Sequence, residues 1–161
     1  MNNKLMLIPT VIINKNIVYD IFKFNQMTAP YGLSLTTQDA LDLARTHEEA
    51  LKRNGRIEFT SGTMQKLIRA FCSSPFITQN NYAETLNDLV EIFYYFKNES
   101  EDELSDDELI LLMRKYFNEN CRGAIELLQA RELETLAHNI RFGLYDWRNS
   151  GHFLDQEADD E

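Results

Sequence analysis

The chain of 161 residues has little of what interrupts or staples a fold: three prolines, six glycines and two cysteines. So few breakers favour long, uninterrupted elements, which leans the chain toward helix. Cys72 and Cys121 stand far apart beside apolar or small residues, so they supply no disulfide framework, and a reducing cytoplasmic location is expected. Glycine-rich phosphate loops are absent. No apolar run is long enough to cross a bilayer, since the stretch from Leu5 to Ile13 is broken by Pro9 and Thr10. That stretch has no small-residue cleavage site after it and reads as an extended lead-in or short strand.

Bases are missing where acids are densest. Glu99 to Glu108 carries seven carboxylates and no base. Residues 1–60 hold seven bases and six acids, residues 61–98 three of each, and residues 99–161 six bases and seventeen acids, so the last segment carries the whole excess behind the net charge of −10. Such a chain repels phosphate backbones, and no compact Lys/Arg stripe offsets the repulsion, so nucleic acid is not an expected partner. Acidity of this size serves solubility first.

What is present is ordinary globular material, 43% hydrophobic and 26% charged. A chain of this length folds as one domain that buries roughly 70% of its unfolded surface. Ile17, Ile21 and Phe24 recur at helical spacing, and Pro30 with Gly32 forces a turn after them. Thr36 with Asp39 starts a second helix through Leu43, Ala44, Ala50 and Leu51, which stops at Asn54-Gly55. Arg56 to Phe59 alternates polar and apolar, which predicts an extended stretch with Ile57 and Phe59 inward and Arg56 and Glu58 outward, able to pair with the N-terminal segment. Helices follow over Met64 to Cys72, over Thr78 to about Asn98, from the Ser105–Glu108 capping box through Phe117, and over Ile125 to Leu144.

The fold class is therefore mainly α: a single orthogonal helical domain of about six helices over residues 1–145, with room for one short two-stranded ribbon. Residues 146–161 form an acidic tail that should be disordered, with five acids between Asp155 and Glu161.

Each motif that suggests chemistry meets a simpler reading. The acidic stretch fails as a calcium loop, because neither a start at Asn98 nor one at Asp102 puts glycine sixth and glutamate twelfth. It reads as a solvated connection, with Asp106 and Asp107 complementing a helix dipole. His47-Glu48-Glu49 lacks the second histidine of a zinc helix, since Leu51 stands four residues on. His47 and His138 are expected at helix edges, bonded to a neighbour. Cys121, His138 and an acid can be drawn as a triad, but nothing local supports a strained nucleophile. No catalytic, cofactor-binding or metal-binding residue is assigned, and no cofactor is expected. The candidate partner-binding surface is Arg56 and Glu58 together with Tyr94 and Tyr95, which fall off the main stripe of the central helix beside the acids.

Four segments carry a resemblance: Tyr31-Gly-Leu-Ser-Leu, Asn54-Gly-Arg-Ile-Glu-Phe, Ser74-Pro-Phe-Ile-Thr-Gln-Asn-Asn-Tyr-Ala-Glu-Thr-Leu and Ile92-Phe-Tyr-Tyr-Phe-Lys-Asn-Glu. In these, from about Ile17 to Leu144, the chain resembles an uncharacterised family of small bacterial proteins, a domain of unknown function. The resemblance implies a bacterial cytoplasmic protein and brings no catalytic residues with it. The expected function is a non-enzymatic helical module that binds another protein or itself. The alternatives are a small hydrolase using Cys121 or the clustered carboxylates, and an acidic regulator that occupies a nucleic-acid-binding protein.

Overall fold

A computed structural model of the chain describes residues 15–145. Six helices of nine residues or more carry the architecture: α1 (Lys15–Lys23), α2 (Thr37–Arg53), α3 (Gly62–Phe71), α4 (Tyr82–Glu99), α5 (Asp106–Lys115) and α6 (Leu133–Arg141). No strand occurs among the described residues. The expected partner strand at Leu5 to Ile13 and the acidic tail lie outside the described residues.

The local signals act where the sequence places them. At the start of α2 the Asp39 N–H donates to Thr36 Oγ1 (3.0 Å) and the Thr36 N–H to the Asp39 carboxylate (2.9 Å). Ser105 and Glu108 make the same reciprocal pair at α5, at 3.1 and 2.9 Å. Each such cap is worth about 1 kcal/mol. Gly55, at φ +66°, takes the left-handed position after α2.

The central helix α4 packs against α2, α3, α5 and α6. Enclosure on several sides explains why Ile92, Phe93, Tyr94, Phe96 and Lys97 are all buried, leaving Glu84, Glu91 and Tyr95 as its wet edge. The core joins Ile21, Leu43, Met64, Leu67, Phe71, Leu89, Phe93, Leu109, Phe117 and Leu128.

The last expected helix is not continuous. A π-helical turn at Tyr116–Asn120 follows α5, and a second at Leu128–Glu132 separates the single turn Ile125–Leu127 from α6. The helix ends at Arg141, before Gly143 at φ +70°, so Leu144 lies beyond it and is 67% exposed instead of packing. Between the first π-helical turn and Ile125, Gly123 sits at φ +84°, and a Cβ there would lie 2.5 Å from the Cβ of Phe76. Only glycine satisfies both the backbone and the packing at that point.

Candidate functional site

A polar cluster sits beneath the loop that joins α2 to α3. His47 faces inward from α2 among Leu43, Ala44, Ala50 and Leu51 and is fully buried. Tyr94 meets it from α4, also buried, with ring centroids 5.7 Å apart. Between them lies the carboxylate of Glu58. The Tyr94 hydroxyl donates to Glu58 Oε1 at 2.7 Å, His47 Nε2 lies 3.3 Å from that oxygen and 3.2 Å from the hydroxyl, and Thr63 Oγ1 donates to Oε2 at 3.4 Å.

This arrangement assigns the imidazole proton to Nε2, where it faces an acceptor. His47 Nδ1 is then a buried acceptor with no partner among the described residues. Burial alone would raise the Glu58 pKa, but the hydrogen bonds from His47 and Tyr94 outweigh it and hold the carboxyl below its ordinary value of 4.5. Burial first, and Glu58 second, push the Tyr94 phenol far upward, so it remains a hydrogen-bond donor at any physiological pH.

The alternation read from Arg56 to Phe59 is present, with its phase inverted. Glu58 points inward, and Ile57 and Phe59 project into solvent, 79% and 84% exposed. Side-chain period two fixes that neighbours face opposite ways and leaves open which set goes in. The choice falls to the buried donors of His47, Tyr94 and Thr63, which a carboxylate satisfies and an isoleucine would not.

Arg56 fastens the same loop one step earlier. Its Nε donates to Asn98 Oδ1 (2.7 Å) and an Nη to Asp102 Oδ1 (2.6 Å), while its own N–H donates to the Leu51 carbonyl (2.8 Å). One step later, Ser61 Oγ donates to Asp20 of α1 at 3.2 Å. The loop is pinned at Arg56, Glu58 and Ser61, and Ile57 and Phe59 project between the pins.

The acidic stretch is correspondingly less wet than expected. Lys97, buried in α4, reaches Asp106 at 3.1 Å and donates to the Leu104 carbonyl. Lys66 holds Asp107 at 3.0 Å and Arg141 holds Glu99 at 3.1 Å. Leu104 is fully buried within the run, and Glu101 and Asp102 take left-handed backbone at φ +56° and +57°. The bases missing from this stretch arrive from elsewhere in the chain.

The four candidate surface residues therefore separate. Half-buried Glu58 reaches inward to Tyr94, and Tyr94 is not a surface residue at all. Arg56 belongs to the clamp on Asn98 and Asp102. Tyr95, one residue and about 100° around the helix from Tyr94, stays 44% exposed beside a shallow cleft with Arg53, Glu91 and Gln129. His47 is not at a helix edge, as expected from sequence, but inside. Its position on the apolar stripe of α2, three and four residues from Ala44, Leu43, Ala50 and Leu51, was the signal that could have placed it.

Cys72 and Cys121 are free and buried, and burial raises both thiol pKa values, with Glu132 adding to the rise at Cys121. His138 is exposed on α6 with its ring 4.6 Å from that of Phe142. Among the described residues no group of three His, Cys, Asp or Glu is placed to hold a metal ion, and no helix is long and apolar enough to cross a membrane.

Comparison with known proteins gives one match: residues 20–146 fit a family model described as a family of unknown function (DUF6323). No curated protein and no solved structure matches the chain.

Proposed function

We propose that this chain, which belongs to the DUF6323 family of unknown function, is a non-enzymatic helical interaction module that offers Ile57 and Phe59 to the apolar socket of another protein or of a second copy. The observation that supports it most is the pairing of exposure with anchorage: two large apolar side chains stand in water on a loop held by Arg56, Glu58 and Ser61. Each would gain about 1.5–3 kcal/mol on being covered. A loop already fixed in one shape loses little further entropy when it docks. Tyr95, on the exposed edge of α4, is a secondary contact in this reading, and the inward Glu58 and Tyr94 support the surface without touching the partner.

The hydrolase alternative draws less support, because Cys121 is buried with its thiol pKa raised and its proposed base, His138, is exposed on α6. An acidic decoy for a nucleic-acid-binding protein also draws less, since Glu99, Asp102, Asp106 and Asp107 are engaged by the chain's own bases. The two free cysteines fit a reducing bacterial cytoplasm as the setting.

Sedimentation velocity and affinity capture, run on the wild type and on an Ile57→Ser, Phe59→Ser double variant, test the proposal. A second copy or a partner held by the wild type and released by the double variant, with melting unchanged, is the expected result. Equal retention by both proteins, or a wild type that associates with nothing, would overturn it.

A further inference from the structure

We infer that the cleft between α1 and α3 binds a small organic anion, a molecule with a single carboxylate or phosphate headgroup and a short apolar body. The cleft is broad and open to solvent, with a volume of about 640 Å³, which lies in the range that small-molecule sites occupy. Lys23, the last residue of α1, and Arg69, in the last turn of α3, both line it. A cation in a last turn also complements the carbonyl end of its helix. Neither has an ion-pair partner among the described residues, although both stand in a chain of net charge −10. Lys23 has only the Tyr19 ring, 5.3 Å from its ammonium. Several bases elsewhere are neutralised: Arg56 and Lys97 share Asp102, Lys66 holds Asp107 and Arg141 holds Glu99.

The one carboxylate lining the cleft, Asp20, accepts a hydrogen bond from Ser61 and leaves the pair of cations in excess. Two neighbouring cations without an ion pair give this cleft a positive potential on a chain that is negative overall. Arg69 contributes a planar fork that matches a carboxylate or phosphate with two parallel hydrogen bonds. Half-buried Phe24 and Met27 supply the apolar side, and the Gln65 amide adds a neutral donor. The combination selects an anion that is more than a bare headgroup.

Amide chemical-shift titrations of the full chain with phenyl phosphate, benzoate, inorganic phosphate and benzyl alcohol test the site. Saturable binding of phenyl phosphate or benzoate is expected, the tighter of the two identifying the headgroup, with shifts centred on Lys23, Gln65 and Arg69. Arg69→Gln should weaken it about tenfold with its melting temperature unchanged, and benzyl alcohol should not saturate. The inference is overturned if neither aromatic acid saturates, if Arg69→Gln binds as tightly as the wild type, or if inorganic phosphate binds as tightly as phenyl phosphate. The Ile57→Ser, Phe59→Ser variant should bind the same ligand unchanged, which separates this site from the docking loop.

Discussion

Glu58 accepts a 2.7 Å hydrogen bond from the Tyr94 hydroxyl while the residues on either side of it, Ile57 and Phe59, face water. The loop's tip thus turns its one charged side chain inward and its two apolar ones outward. This reversal of the usual partition is affordable only because the carboxylate meets buried donors, and it is the structural basis of the predictions about the loop.

Removing the carboxylate should be costly. Glu58→Ala leaves the Tyr94 hydroxyl and His47 Nε2 without their acceptor, and unpaired buried donors cost about 1–3 kcal/mol. Urea unfolding should show a loss of about 2–3 kcal/mol, against less than about 0.5 kcal/mol for Glu49→Ala on the exposed side of α2. Tyr94→Phe should cost less than Glu58→Ala, and the double variant should fall short of the sum, since both act on one hydrogen bond.

Acid should erase the same contribution. The folded-state pKa of Glu58 is held below its ordinary value of 4.5, so its stabilisation is complete above about pH 4.5 and is lost as pH falls through the folded value. The stability gap between the wild type and Glu58→Gln should therefore be constant near neutrality and shrink below about pH 4.5. A gap that stays fixed through the acid range would contradict the lowered pKa.

Asp88 should behave in the opposite sense. Burial, reinforced by Glu84, Glu91 and Glu126, raises its pKa, so its charged form disfavours the fold. The stability tied to its protonated form is present below its unfolded pKa and is lost as pH rises through the folded value. Asp88→Asn should raise the melting temperature at neutral pH, with the gain vanishing in acid. The effect is small because solvent screens the group.

Gly123 is the position least tolerant of a methyl group. Gly123→Ala combines a left-handed backbone with a contact on Phe76 that has no room for a Cβ. A loss of about 2–4 kcal/mol in chemical unfolding is expected. Gly32→Ala, with a similar φ of +75° and nothing within 4 Å, carries only the backbone part and should lose less.

Much of the helical frame was legible because short-range chemistry fixes it. Thr36 with Asp39, and Ser105 with Glu108, announce helix starts from within four residues, and Asn54-Gly55 announces a stop. The site was harder to read, because its partners are far apart in sequence. Glu58 is turned inward by His47 and Tyr94, eleven and thirty-six positions away, and Asp102 is neutralised by Arg56 from forty-six positions away. Alternation could show that Ile57 and Glu58 face opposite ways but not which faces in. A single helical stripe leaves Tyr94 off its buried face, whereas α4 is packed on several sides and buries it.

The docking role of the loop is tested most directly by photo-crosslinking in living cells, with a photoreactive phenylalanine at Phe59 and, as control, at Phe142, which is 67% exposed just past the end of the last helix. The account predicts a discrete covalent adduct, to a partner protein or to a second copy, from position 59 and none from position 142. The same faint background from both positions would contradict it.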